Sequence, residues 1–271
     1  MNISTWLKNA AKQLKDIGIS TARLDAELIL SHTLRKPRTF LHAHLDDELD
    51  PRRHEIASAR LQLRSERVPL AYITGHKEFY GRTFKVSPAT LIPRPESESL
   101  IETLLALTAS EIAPKTLVDV GTGSGALAIT AKLERPHLHV TASDISQKAL
   151  AIATENAQKL GADVHFRTMN LLNEHAGTID YIIANLPYVD KTWGDTSPEL
   201  RHEPPEALYA DEGGLKLIYK LLPQAARWLA NDGFLLLEAD PTQFAAITQK
   251  AAQYKLAPTT QNDYCLVLQK Q

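Results

Sequence analysis

Three observations predict an α/β fold with a mostly parallel sheet and a smaller helical domain ahead of it. From Lys115 onward, apolar runs of strand length alternate with helical stretches, the pattern of a parallel sheet covered on both faces. One run ends in the glycine turn Asp119-Val120-Gly121-Thr122-Gly123-Ser124-Gly125 and another, Ile179 to Ala184, in Asn185-Leu186-Pro187-Tyr188; ligands of open α/β sheets bind at such strand ends. Residues 1 to 68 carry helical periodicity and no strand pattern.

In chain order, Ile3, Leu7, Ala10, Ala11 and Leu14 line one face of a first helix. Ser20 or Thr21 is placed to cap a second, with Leu24, Leu28, Ile29 and Leu34 inward. Asp50-Pro51 opens a third, with Ile56, Ala59 and Leu63 inward. Arg52, Arg53, Arg60, Arg64 and Arg67 then fall outward, as a solvated face or, less expected, as a surface for an acidic partner. Phe79 to Val86 alternates around Gly81, as a β-hairpin does. Leu91-Ile92-Pro93-Arg94-Pro95 must be extended, since each Pro restricts the residue before it. A helix follows from Glu96 to Thr108. Strands are expected at Thr116–Val120, Val140–Ser143, Val164–Thr168, Asp180–Ala184, Phe234–Glu238 and Tyr264–Leu268, with helices between most of them, notably Ser146–Leu160 and Gly214–Leu229. The expected division is a helical domain over 1–68, a hairpin linker over 69–95 and a catalytic domain over 96–271.

The composition fits a globular chain with a sizeable core: 271 residues, 44% hydrophobic and 23% charged. A net charge of -2 and a pI near 6.6 supply no global basic field, so stable nucleic-acid binding is not expected. The lone Cys265 excludes a disulfide within the chain, reads as a buried structural thiol, and points to a reducing, cytoplasmic setting. Met1 to Lys15 lacks the apolar core and cleavage site of a signal peptide, and no apolar run is long enough to span a membrane. No metal-ligand spacing is evident, and a monomer is the default expectation.

The glycine loop lets the backbone turn sharply and approach a ligand closely. Asp144 ends the next strand, where a carboxylate can accept both ribose hydroxyl hydrogens. On these residues alone the loop holds a methyl donor, holds a dinucleotide or is purely structural, since Gly121-x-Gly123-x-x-Ala126 also fits the relaxed dinucleotide fingerprint. Asp119 serves equally well as a carboxylate that braces the loop. No P-loop lysine is present.

The Asn185 turn favours the methyl donor. An amide or aromatic amine is a poor nucleophile because its lone pair is delocalised. Fixed oxygens that accept both of its N–H hydrogens orient the nitrogen and stabilise the positive charge that develops. The Asn185 side-chain carbonyl and the Leu186 backbone carbonyl are the natural pair, Pro187 stiffens the turn, and Tyr188 is expected to wall the pocket against water. A strand-ending turn with a capping Asn is the structural alternative. No strong base is needed before attack, and none is evident.

With these residues in place, the sequence resembles the glutamine-N5 protein methyltransferases that modify peptide chain release factors, the PrmC/HemK family. The resemblance runs nearly end to end. It is most specific in Arg67-Val68-Pro69-Leu70-Ala71-Tyr72-Ile73-Thr74-Gly75, in Phe79-Tyr80-Gly81, and in Leu91-Ile92-Pro93-Arg94-Pro95-Glu96-Ser97-Glu98. The Asp119–Gly125 loop, Asp144-Ile145-Ser146, Glu203-Pro204-Pro205-Glu206-Ala207-Leu208 and Gly213-Gly214-Leu215 extend it. It implies a class I S-adenosylmethionine-dependent methyltransferase, Rossmann-like with a seven-stranded sheet, a small helical N-terminal domain that docks the protein substrate, and a connecting hairpin. It also implies methylation of the glutamine side chain in a release factor's Gly-Gly-Gln motif, with S-adenosylhomocysteine as product. Gly121, Thr122, Gly123, Ser124, Gly125, Asp144, Asn170, Leu171 and Asn185 are the implied cofactor residues, and Asn185, Leu186, Pro187 and Tyr188 the implied catalytic and substrate-binding ones. Leu186 replaces the family's first Pro, Asn170-Leu171-Leu172 replaces its Asp-Leu-Phe-like turn, and Ala239-Asp240 replaces its Ile-Gly. Asn-Leu-Pro-Tyr also resembles the turn of ribosomal RNA adenine dimethylases, so an adenine-N6 methyltransferase acting on RNA or DNA is the alternative.

Overall fold

The computed structural model describes residues 1–193 and 197–271 and divides the chain into two units. One holds residues 1–75 with 197–202, the other 76–196 with 203–271. The hairpin strands therefore group with the second unit.

The first unit is helical: α1 Ile3–Asp16, α2 Ala22–Leu34, α3 Arg38–Ala43, α4 Pro51–Ser65 and α5 Leu70–Thr74. Asn2 caps α1 and Asp50 caps α4, each accepting backbone N–H groups of its first turn. Thr21 precedes α2 but makes no side-chain cap. The inward faces of α2 and α4 differ from the periodicity reading. Ala22, Ala26, Ile29 and Leu30 are buried on α2, whereas Leu24 is exposed; on α4 the buried residues are Ala57, Leu61 and Arg64, with Ile56 and Leu63 outside.

That rotation brings the arginines in. Arg64 bonds Asp25 at 2.7 Å and Glu199 at 3.0 Å, with Arg67 also on Glu199. Arg60 donates to Thr33 Oγ1 and Arg53 to the Thr33 carbonyl. Most of the run is thus an internal clamp, correcting the expectation of a solvated face. Burial alone pushes the Glu199 carboxyl up, but Ser197 and Arg64 outweigh it and hold it at about 2.

The second unit opens with the hairpin β1 His76–Phe79 and β2 Arg82–Lys85, then α6 Glu98–Leu107 behind a short 3-10 helix, Pro95–Ser97. The main sheet follows: β3 Lys115–Val120, α7 Ala126–Glu134, β4 Leu138–Asp144, α8 Gln147–Leu160, β5 Val164–Thr168 and β6 Ile179–Ala184. Next come α9 Pro205–Leu208, α10 Lys216–Trp228, β7 Leu229–Glu238, α11 Phe244–Ala252, β8 Leu256–Asn262 and β9 Cys265–Lys270. The seven strands run β5-β4-β3-β6-β7-β9-β8, parallel except where β9 pairs antiparallel with β7 and β8. The predicted strands are all present. β8 is the addition; its pattern Leu-Ala-Pro-Thr-Thr-Gln-Asn is nearly all exposed and carries no core signal.

Alternation sorts side chains between two cores. Val118, Ile182, Ala184, Leu235 and Leu237 join α10 and α11 on one face. Leu117, Tyr181, Ile183 and Leu236 join α6, α7 and the hairpin aromatics Phe79 and Phe84 on the other. The strand order reverses at β3, with β4 on one side and β6 on the other. The C-terminal end of β3 is thus the topological switch point.

Candidate active site

The loop after β3, Asp144 at the end of β4 and the Asn185 turn after β6 meet at that switch point. They line one cavity of about 840 Å³, at the large end of the roughly 300–1,000 Å³ typical of ligand sites. Gly121, Thr122, Gly123, Ser124, Asp144, Asn170, Leu171, Asn185, Leu186 and Pro187 all face it. Gly125 and Tyr188 do not. The two loops abut: at Gly121, with φ +78°, an added Cβ would lie 3.1 Å from Leu186 Cδ2, so a side chain there would crowd the turn.

The glycine loop is held from below by carboxylates. Asp119 is fully buried; its Oδ2 accepts from Thr122 Oγ1 at 2.6 Å and from the Ala128 N–H at 3.1 Å, so it ties the loop to the start of α7. Its Oδ1 has no partner among the described residues. Burial pushes this carboxyl up to about 7, and Asp144 nearby adds to the rise. Asp144 receives the Gly123 N–H at 2.9 Å and the Ser146 N–H at 2.8 Å, one on each oxygen. Burial raises its pKa, and these backbone donors act against the rise. Asn156, buried on α8, links the loop to the hairpin by donating to the Ser124 and Lys85 carbonyls while accepting the Lys85 N–H.

Asn170 is exposed at the cavity edge, while Leu171 is buried and left-handed at φ +54°. The Leu172 N–H is taken by Gln224 of α10.

In the turn after β6, the alternation of the strand continues. Asn185 falls on the α6 face and Leu186 on the opposite face, within the core of α10 and α11. Asn185 Nδ2 donates to Ser97 Oγ at 2.9 Å. The expected wall role of Tyr188 needs correction: its ring is half-buried against the core, and its hydroxyl donates to Glu238 Oε1 at 3.2 Å. Glu238, at the end of β7, is 1% exposed and pushed up to about 7 by burial.

The turn is also gripped from behind. Gln243 Nε2 donates to the Tyr188 carbonyl at 2.9 Å and to the Gly213 carbonyl at 2.7 Å. Gln243 is set by a capping box with Asp240, whose carboxylate takes the Thr242 N–H and whose own N–H goes to Gln243 Oε1. This accounts for the Ala239-Asp240 departure: Asp240 starts the short helix that delivers Gln243. The segment after the turn is tied down by Glu203, which accepts the Ile92 N–H at 3.0 Å and pairs with Arg94. Pro204, Glu206 and Ala207 thereby reach the cavity.

Sequence reasoning missed Ser97, Glu238 and Gln243 as parts of the site. Each left a signal. Glu238 is a lone charge ending an apolar run, Ser97 lies in the distinctive Pro95–Glu98 stretch, and Asp240-x-x-Gln243 has capping-box spacing.

Residues 5–75 match the PrmC N-terminal domain and residues 96–203 the methyltransferase small domain. The chain is 40% identical over 270 residues to the release factor glutamine methyltransferase of Koribacter versatilis, covering 95% of this chain and 94% of that protein. The chain belongs to the release factor glutamine methyltransferase family. The release factor glutamine methyltransferase of Escherichia coli is 34% identical over 252 residues, 92% of this chain and 90% of the other. Among solved structures, a methyltransferase from Pyrococcus furiosus shares the fold at a TM-score of 0.52 and 17% identity, over 79% of this chain and 97% of that one. Among the described residues no helix is long and apolar enough to cross a membrane, and no cluster of metal-ligating side chains occurs.

Proposed function

We propose that this chain transfers a methyl group from S-adenosylmethionine to the side-chain amide nitrogen of the glutamine in the Gly-Gly-Gln motif of a peptide chain release factor. The observation that carries the reading is Asn185. It faces the cavity beside the glycine loop, and Ser97 holds its amino group, which leaves its carbonyl oxygen to meet a ligand.

The residues present fit the cofactor. A carboxylate at a strand end, a backbone loop free of bulky side chains and an apolar floor at Leu171 suit a ribose, an amino-acid tail and an adenine respectively. Asp144 holds the ribose hydroxyls, since each of its oxygens keeps a lone pair after accepting one backbone N–H. Gly121, Thr122, Gly123, Ser124 and Gly125 shape the loop, and Asn170 and Leu171 take the adenine side. When bound, S-adenosylmethionine supplies an electrophilic methyl on a positively charged sulfur.

The remaining work is positional. Asn185 Oδ1 and the Leu186 carbonyl accept the two hydrogens of the glutamine amide, aim its nitrogen and stabilise the charge that grows on it. Pro187 keeps Leu186 extended. Tyr188 anchors the end of the turn through Glu238. The helical unit docks the release factor, the enzyme works as a monomer in the cytoplasm, and stable nucleic-acid binding is not part of its action.

The test is to incubate the chain with labelled S-adenosylmethionine and either a release factor, the same factor with its Gly-Gly-Gln glutamine replaced by alanine, or ribosomal RNA. Label on the glutamine amide nitrogen, absent from the alanine variant, supports the reading. Label on RNA adenine sinks it.

A further inference from the structure

We propose that Glu238 and Ser97 are positioning residues that decide which atom of the Asn185 amide faces the cavity. The inference rests on the amide-holding role of Asn185 and goes beyond it.

An Asn side chain ends in an acceptor and a donor of nearly equal size, and only the acceptor can take an N–H of a glutamine amide. Something must select the orientation. Asn185 Nδ2 lies 2.9 Å from Ser97 Oγ, so Ser97 accepts there. A hydroxyl that accepts from Asn185 must send its own hydrogen elsewhere. Glu238 lies beside it on the same face of the sheet, close enough for Ser97 and Asn185 both to lower its pKa. Tyr188 donates to the other side of that carboxyl, Oε1. Glu238 Oε2 has no well-aligned partner among the described residues and is fully buried, so a hydrogen donor is wanted there.

An ionised carboxylate only accepts. It draws hydrogens from Tyr188, Ser97 and the Asn185 amino group, Ser97 also accepts from Asn185 Nδ2, and Oδ1 is left for the substrate. A protonated Glu238 carries a donor. When that donor points at Ser97, the Ser97 hydrogen turns toward Asn185, and the amide rotates to present its amino group to the cavity. The chain of bonds therefore converts one protonation into loss of the amide acceptor.

Burial puts this titration near neutral pH, at about 7. The ionisable groups around Glu238 are few. Glu96, from the 3-10 helix before α6, pushes its pKa up. Tyr188, from the β6 turn, is itself pushed far up by burial and stays neutral. Cys265, opposite Glu238 in the β7–β9 register, is pushed up to about 11 and also stays neutral, and Tyr264 lies near the Tyr188 hydroxyl.

The test is single-turnover methylation of a release factor by the full-length chain at saturating S-adenosylmethionine, from pH 5.5 to 8.5. Wild type should gain rate as pH rises through the Glu238 titration. Glu238→Gln, which like the protonated acid presents a carbonyl acceptor on one side and a donor group on the other, should be flat and slow at the level wild type reaches in acid. Ser97→Ala should lose about 10- to 100-fold in rate, by analogy with the groups that orient the ligands of a metal site, with cofactor affinity by calorimetry unchanged. Tyr188→Phe removes one donor to Glu238 at no cost in volume and should move the rising limb to higher pH. A wild-type limb that persists in Glu238→Gln, a flat wild-type profile, or a full rate in Ser97→Ala overturns the proposal. Asn185→Ala separates the two levels. A fast Asn185→Ala enzyme overturns the amide-holding reading itself. An inert one beside normal Ser97→Ala and Glu238→Gln enzymes overturns the relay alone.

Discussion

Gly214→Ala should disable the substrate turn while sparing the cofactor loop, and the structure sets the size of the effect. Gly214 has φ +82°, and an added Cβ would lie 1.9 Å from the Tyr188 carbonyl oxygen, 2.6 Å from its carbon and 2.7 Å from Gln243 Nε2. The left-handed backbone alone costs an L-residue about 1–2 kcal/mol. The clash cannot be relieved by a flexible side-chain tip, because the Tyr188 carbonyl is backbone of the turn and is held by Gln243. Either the turn moves or the Gln243 bond breaks, and a lost hydrogen bond adds roughly 1 kcal/mol. The sum, about 2–3 kcal/mol, is well below the total stability of a typical domain, so the protein should fold with a displaced turn. A displacement of about 1 Å at a reacting group costs about a hundredfold in rate. The assay is kcat for release-factor methylation together with S-adenosylmethionine affinity and Tm. Gly213→Ala is the control. Its φ of +67° carries the same backbone strain, but its nearest neighbour, Asp190 Oδ2, is 3.9 Å away. It should lower Tm with kcat within a few-fold of wild type. If Gly214→Ala methylates as fast as Gly213→Ala, the contact between Gly214 and the Tyr188 carbonyl does not hold the turn in place.

Other substitutions separate the parts of the site. Asp144→Ala should weaken S-adenosylmethionine binding by about ten- to a hundredfold, the loss of a charged acceptor worth roughly 1.5–3 kcal/mol; unchanged affinity by calorimetry removes Asp144 from the ribose site. Asn185→Ala should cut kcat by about a hundred- to a thousandfold with cofactor affinity nearly intact, as measured by single-turnover rates. Leu186→Pro should keep most of kcat, because the carbonyl it presents is the same atom, while Tm falls with the loss of a buried Leu side chain. Asp119, raised from 3.8 to about 7 by burial, binds its proton more tightly folded than unfolded. Its contribution to stability is therefore full below the ordinary aspartate range and is lost as pH rises to about 7. The Tm difference between Asp119→Asn and wild type should grow in the mutant's favour from pH 4 to 7 and level off above; a difference independent of pH refutes the buried-carboxyl reading.

Strand identity in the second unit was legible because buried parallel strands are short, largely apolar runs, and Leu117–Val120 and Ile179–Ala184 fit that pattern with one aspartate each. The helical unit was less so. Leu24, Ile56 and Leu63 sit on plausible apolar stripes yet face solvent, because the unit's inward positions are shared with charges: Asp25, Glu27 and Arg64 are all buried. Arg64 satisfies Asp25 and Glu199 at once, and residue 199 lies 135 positions away in sequence. A pattern of hydrophobicity cannot foresee that a buried stripe contains an arginine, since the partner that makes it tolerable arrives from a distant segment.

The same argument divides the candidate site. Gly121 to Gly125, Asp144 and Asn185 could be read locally because each is the residue that ends a strand, and strand ends converge whatever the details of the fold. The groups that orient them are not local. Ser97 reaches Asn185 across 88 positions, Glu238 reaches Tyr188 across 50, and Gln243 reaches the Tyr188 carbonyl across 55. Two facts known only from the sheet bring them together: β6 and β7 are neighbours, and period-2 alternation puts Asn185 and Glu238 on the face that α6 covers. Given that order, a carboxyl ending β7 lies beside the β6 turn, and Tyr188 of that turn donates to it. The substrate turn is thus one side of a buried polar cluster. An amide that accepts from a substrate has to be oriented by its other neighbours: Ser97, at the cavity wall, and Glu238 and Tyr188 behind it.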